Sequence, residues 1–93
     1  MAEDVVRRRV VVRGRVQGVF FRDACREQAR LLGVGGWVRN RGDGLSVEAV
    51  FEGAADAVAR MVAWCRHGPP RAFVESVDVD DEPPHGETSF RVR

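Results

Sequence analysis

The order in which the apolar period changes along the chain constrains its fold more than any other feature. The opening VVRRRVVVR, Val5 to Arg13, is rich in β-branched residues and sets Val6, Val10 and Val12 on one face at a period of two, a strand pattern expected to end at Gly14. In FRDACREQARLLG the spacing becomes helical: Phe21, Cys25, Gln28 and Leu32 recur on one stripe, with Ala24 and Leu31 beside them and Gly33 to close the helix. GGWVRN is short and extended, RGDG supplies turn residues, and LSVEAVFEG alternates with Leu45, Val47, Ala49 and Phe51 on one face. Two strands and a tight turn predict a hairpin. AADAVARMVAWCRHG returns to helical spacing, with Ala54, Val58, Met61, Val62 and Cys65 on one stripe and Gly68, Pro69 and Pro70 at its end. FVESVDVD alternates again, DEPPHGET reads as a polar loop, and SFRVR as a brief terminal strand.

Strand, helix, strand, strand, helix, strand, with one short strand added, is the ferredoxin-like split pattern, an α+β sandwich. Right-handed crossovers put both helices on the same face of an antiparallel sheet. A chain of 93 residues has room for one buried core, so residues 1–93 are expected to form a single domain with one site.

Fold alone does not choose a function here, because the same arrangement carries RNA-binding, metal-carrying and catalytic proteins. An RNA module would present aromatic residues on its central strands, whereas strand one offers valines and arginines and the chain has no Tyr. A metal carrier would show paired cysteines near the first loop, and no CxxC occurs. The formal charge of +1 gives no strong field toward nucleic acid or a membrane, although a local patch stays open. All 15 basic residues are Arg, which excludes Schiff-base lysine chemistry and lysine-dependent phosphate loops while suiting bidentate phosphate binding. MAEDVVRRRV lacks the apolar run of a signal peptide, and no segment has the length and apolarity to span a bilayer. Cys25 and Cys65 fall on separate helices as buried, reduced thiols. His67 and His85 lie at a helix end and in a polar loop, and neither is a candidate catalyst. With no cluster at metal-ligand spacing, the expectation is a cytoplasmic monomer with no metal and no cofactor, binding neither nucleic acid nor membrane.

Two runs carry chemistry. GRVQGVFFR, Gly14 to Arg22, joins the first strand to the first helix. A glycine-flanked loop can turn backbone N–H groups inward, and the helix that follows adds unpaired amides and the positive end of its dipole. Gly14 and Gly18 permit the backbone and the ligand to approach closely. Arg22 at a helix start opposes the dipole unless an anion is bound nearby. The run also reads as a plain strand-to-helix turn, and spacing alone leaves both readings open. GGWVRNRGDG places Asn40, the only asparagine of the chain, at the end of a strand, where it is either a turn residue or a polar amide held for chemistry. RGDG already supplies the turn.

Together, GRVQGVFFR and GWVRNRGDG resemble the paired signature of the acylphosphatase family, and VEAVFEG, GPPRAFVESVDV and the terminal FRVR extend the resemblance over nearly all of the chain. The resemblance implies an enzyme that hydrolyses the carboxyl–phosphate bond of acyl phosphates, releasing a carboxylate and inorganic phosphate. It implies that the loop amides of Arg15, Val16, Gln17, Gly18, Val19 and Phe20 bind phosphate, that Arg22 holds it, and that Asn40 positions the attacking water. Asp23 and Asp43 receive no role. Two alternatives stay open: action on carbamoyl phosphate, as in related domains of larger maturation enzymes, and a noncatalytic anion-binding module that uses the same cradle.

Overall fold

The computed structural model describes residues 4–93. In chain order the elements are β1 (Val5–Arg15), α1 (Phe21–Leu32), β2 (Gly35–Asn40), β3 (Ser46–Ala54), α2 (Ala55–Cys65), β4 (Phe73–Glu82) and β5 (Phe90–Val92). The sheet order is β4-β1-β3-β2-β5. β1 pairs antiparallel with both β3 and β4, and β2 pairs antiparallel with β3, so each strand–helix–strand unit joins parallel strands that are separated by one antiparallel neighbour. This is the ferredoxin-like arrangement. The terminal strand β5 pairs parallel with β2, which makes the five-stranded sheet mixed rather than wholly antiparallel.

Val10 and Val12 of β1, Val38 of β2 and Val47, Ala49 and Phe51 of β3 project to the helical face, where they meet Phe21, Cys25 and Ala29 of α1 and Val58, Met61 and Cys65 of α2. Fully burying a side chain of this size is worth about 1.5–3 kcal/mol, so this one layer carries most of the drive to fold. Both cysteines are buried and unbridged, and burial together with the neighbouring Cys65 thiol pushes the Cys25 thiol well above its ordinary pKa. Gly33 adopts a left-handed conformation (φ 68°) and ends α1, the amide of Val34 donating to the carbonyl of Ala29 at 2.9 Å.

Five expectations need correction. β1 does not stop at Gly14 but runs to Arg15, crossing an irregularity in its pairing with β4 between Arg13 and Gly14. Leu45 lies outside β3 and is 65% exposed, because the turn occupies the chain as far as Leu45 and the strand begins at Ser46. Leu31 is also exposed, with Ala29 taking the buried position on α1, and Ala54 ends β3 instead of opening the α2 stripe. Asp81 and Glu82 belong to β4, since both find arginine partners on β1.

The face without helices explains the arginine-rich opening. Arg7, Arg9 and Arg13 alternate outward along β1, between acids on β3 and β4. Arg9 pairs with Glu48, Arg13 with Asp78, and Arg39 of β2 donates to Glu48 at 2.9 and 2.6 Å. These cross-strand columns of opposite charge neutralise one another, so the open patch of positive charge that the sequence allowed does not form on β1. Arg93 closes the row, its guanidinium carbon 4.5 Å from the centre of the Trp37 ring.

Candidate active site

Between β1 and α1, the loop Val16 to Phe20 is anchored from beneath. Val16 and Val19 are buried in the core, as is Phe21 at the start of α1, whose ring meets Trp64 at a centroid distance of 5.2 Å. Gln17, Gly18 and Phe20 are therefore left on the outer side. Gly14 serves the fold: at φ 136°, a Cβ there would stand 2.2 Å from the carbonyl oxygen of Phe73, so the close approach it permits is to β4 and not to a ligand. Gly18 serves the loop. Its φ of 73° is left-handed, and open space surrounds the position of the missing Cβ.

Among the described residues, the amides of Gln17, Gly18, Val19 and Phe20 donate to no backbone carbonyl, and the start of α1 carries no side-chain cap. Unspent amides and an uncapped helix start leave a concentration of positive dipole. Val16, Gly18, Phe20, Phe21, Arg22, Asp23 and Asn40 line one cleft of about 360 Å³ over this loop. Arg22 is half-buried there and forms no ion pair with any described residue, in contrast to the paired arginines of β1. The Oδ1 atom of Asn40 is buried and accepts no hydrogen bond from any described group. Leaving such an acceptor unmet costs about 1–3 kcal/mol, which the surrounding fold must offset.

Not every residue named from the sequence reaches this cleft. Arg15 is paired in the ladder with Phe73 and, with Gln17, lines a neighbouring depression beside Arg13 and Leu45. Val19 lines neither and contributes only its backbone. Asp43 is committed to the β2–β3 turn, where its carboxylate accepts from the amides of Leu45 and Ser46 and from the Ser46 hydroxyl. That last bond leads the causes that hold its carboxyl below the usual range.

One residue acts here in a way that the sequence did not reveal. The Gln17 side-chain amide donates to the carbonyls of both Arg41 and Ser46 at 2.8 Å, stapling the loop to the turn that follows Asn40. The available signal was a long amide side chain set between apolar and glycine residues.

Against known proteins, a family model described as Acylphosphatase matches residues 8–92. An acylphosphatase of Rubrobacter xylanophilus is 59% identical over 93 residues, covering 99% of this chain and 84% of the relative. One of Aeropyrum pernix is 54% identical over 92 residues, covering 98% and 91%. The solved structure of an acylphosphatase from Coxiella burnetii matches with a TM-score of 0.92 at 37% identity, covering 97% of this chain and 94% of that one. Agreement of this extent in both sequence and fold means that this chain belongs to the acylphosphatase family, a family of enzymes.

Proposed function

We propose that this chain hydrolyses acyl phosphates to a carboxylate and inorganic phosphate, with Arg22 and the loop amides of Arg15 to Phe20 holding the phosphoryl group and Asn40 orienting the attacking water. The observation that carries this reading is the buried, unpartnered Oδ1 of Asn40 in the same cleft as Arg22. A phosphate seat alone needs no such acceptor; a water held for attack does.

The chemistry needs little more. The carboxylate that departs is the conjugate base of an acid with a pKa near ~4, so it leaves without a proton donor. What remains is to gather the phosphoryl oxygens, offset their charge and align the nucleophile. Arg22 offers a planar pair of donors, and the loop amides offer preorganised dipoles. Asn40 accepts one O–H of the water and fixes its direction without ionising. The water oxygen bonds to phosphorus as the bridging P–O bond breaks, the electron pair leaves on the carboxylate, and a phosphoryl oxygen takes the water's proton. Asp23 lines the cleft but has no place in these steps, and Asp43 is occupied by its turn.

The same reading takes the enzyme as metal-independent, because arginine and amides already supply the charge that the reaction develops, and as a cytoplasmic monomer. No helix among the described residues is long and apolar enough to cross a membrane.

The test follows loss of a simple acyl phosphate in the presence of chelator, alongside binding of inorganic phosphate. Arg22→Ala is expected to lose both. Asn40→Ala keeps phosphate binding and loses turnover by roughly 10²–10³, the size seen when one oriented polar group is removed from a reacting centre. Near wild-type hydrolysis by Asn40→Ala would remove Asn40 from the mechanism, and loss of activity in a folded Asp23→Asn protein would replace the proposed proton route.

A further inference from the structure

We infer that the depression beside the phosphate loop, lined by Arg15, Leu45 and Glu75, is a second ligand site, and that its ligand is a free α-amino acid with an apolar side chain. The site is separate from the active cleft and does not rest on the phosphate seat proposed above.

The depression has a volume of about 400 Å³ and lies between the end of β1, the β2–β3 turn and the start of β4. Among its lining residues it shares only Val16 with the cleft of Arg22 and Asn40. It offers no cradle of free amides. The amides of Gly14 and Gly44 are spent on the carbonyls of Leu45 and Arg41, at 3.1 and 3.4 Å, and the Gln17 side-chain amide is spent on the carbonyls of Arg41 and Ser46. Arg13 is paired with Asp78. The charged groups left open are Arg15 and Glu75. Both are exposed, both line the depression, and neither forms an ion pair with the other or with any other described residue.

Single unpaired charges are ordinary on a surface. Two of opposite sign that line one depression without meeting leave room for a ligand that carries both signs close together. The carboxylate of an α-amino acid accepts from the Arg15 guanidinium, and its ammonium donates to the Glu75 carboxylate. An alkyl carboxylate would gain Arg15 and meet like charge at Glu75, and an alkylamine would do the reverse. Apolar surface adjoins both charges. Leu45 lines the depression, and Phe73 is the ladder partner of Arg15; each is 65% exposed. Gly44, left-handed at φ 74°, has open space where a Cβ would stand, so the turn does not fill the depression. A ligand side chain that covers Leu45 removes apolar area from water, which favours a leucine-like ligand over glycine.

The experiment titrates the full chain with L-leucine and follows the backbone amide resonances by NMR. Three controls each lack one feature: isocaproate has no ammonium, isoamylamine no carboxylate, and glycine no apolar side chain. Leucine is expected to shift Gly14, Gln17, Gly44 and Leu45 saturably with a Kd of about 1 mM, the scale of two exposed ion pairs and one apolar contact, and each control to bind at least about threefold more weakly. Arg15→Gln, Glu75→Gln and Leu45→Ser should each weaken leucine roughly three- to fivefold, with circular dichroism checking that these exposed substitutions leave the fold intact. Excess inorganic phosphate should leave the leucine titration unchanged. The absence of saturable shifts at these four residues overturns the site. Equal affinity for leucine and either singly charged control overturns the amino-acid assignment, and displacement of leucine by phosphate would put the amino acid in the active cleft and overturn the inference.

Discussion

Two loops of this protein combine a left-handed glycine, a run of amides and an arginine, and only one of them closes on a carboxylate of the chain itself. In the β4–β5 connection the amides of His85, Gly86 and Glu87 converge on the carboxylate of Glu52, at 2.9, 2.6 and 3.0 Å, and Arg7 adds a guanidinium contact at 2.9 Å. Glu52 is 2% exposed, Arg7 is 5% exposed, and Arg7 also reaches Glu82 and Glu87. The β1–α1 loop has the same ingredients: a left-handed glycine, a run of amides and an arginine. There the amides have no backbone acceptor and the arginine has no carboxylate among the described residues. A filled cradle stabilises the fold and delivers β5 to the edge of β2, the strand that ends in Asn40. An open cradle leaves donors unmet and an acceptor orphaned among the described residues, a cost that the rest of the fold must offset.

Breaking the two cradles should therefore give opposite results. Glu52→Ala leaves three loop amides without their acceptor and takes from Arg7 one of its three carboxylates, and is expected to cost about 3 kcal/mol of stability in denaturant unfolding. Turnover per folded molecule should change far less, since no part of Glu52 lines the cleft. Equal stability in Glu52→Ala would mean that the two loops are not alike. Arg22→Ala should do the reverse, with turnover falling roughly 10²–10³-fold and stability within about 0.5 kcal/mol of wild type, because Arg22 supports no other described residue. A large loss of stability would make Arg22 a structural residue.

The contrast also explains what could be read from the sequence. The periods of two and 3.6 fixed element types because one face of each element is buried, and Val10, Val12, Cys25, Val58 and Met61 all obey that rule. Leu45 and Leu31 broke it, since a turn or a helix flank can leave an apolar residue outside. The open loop stood out because Gly18, Arg22 and Asn40 fall in short runs of turn and polar residues, although their spacing alone left a plain structural reading open. The filled cradle was not legible, because its parts lie 45 residues apart in the chain and meet only through strand register. Opposite-sign parity was present all the same: Arg7 and Glu52 both sit outward, opposite in parity to the buried Val10, Val12 and Phe51, and they pair directly. Gln17 escaped for a related reason, as its two acceptors follow a strand whose position a loop sequence does not encode.

Gln17 offers a finer way to separate holding from aligning. Gln17→Leu removes both donors, while the Ser46 carbonyl keeps its bond from the Arg41 amide at 3.0 Å, so the turn itself survives. The loop amides and Arg22 remain, and phosphate binding should stay within about threefold. The register between the loop and Asn40 is lost, and kcat should fall about tenfold, the order of effect expected when a group near the reacting atoms is misplaced. In an Asn40→Ala background the same substitution should have little further effect, because no oriented amide remains to misplace. Equal losses in phosphate binding and kcat would make Gln17 part of the cradle rather than its link to Asn40.

The smallest effect is expected from pH, and the filled cradle shares it with the other paired carboxylates of the sheet. Burial by itself raises the Glu52 carboxyl, but the His85 amide, the Arg7 guanidinium and the amides of Gly86 and Glu87 outweigh it and hold the group below the usual glutamate value. Because the folded pKa is depressed, the unfolded chain takes up the proton first as pH falls. The contribution of Glu52 is thus fully present above about pH 4.3, the ordinary glutamate value, and fades as pH drops through its lower folded value. Glu48, held down against burial by Arg39 and Arg9, adds to the same slope. Denaturant unfolding between pH 7 and pH 2.5 should show stability falling only in the acidic part of that range, with a shallower fall in Glu52→Gln. Removing Arg22 should leave the slope unchanged. An identical slope in Glu52→Gln would mean that the carboxylate in the β4–β5 loop contributes nothing through its charge, leaving its hydrogen-bond geometry as the only basis for the filled cradle.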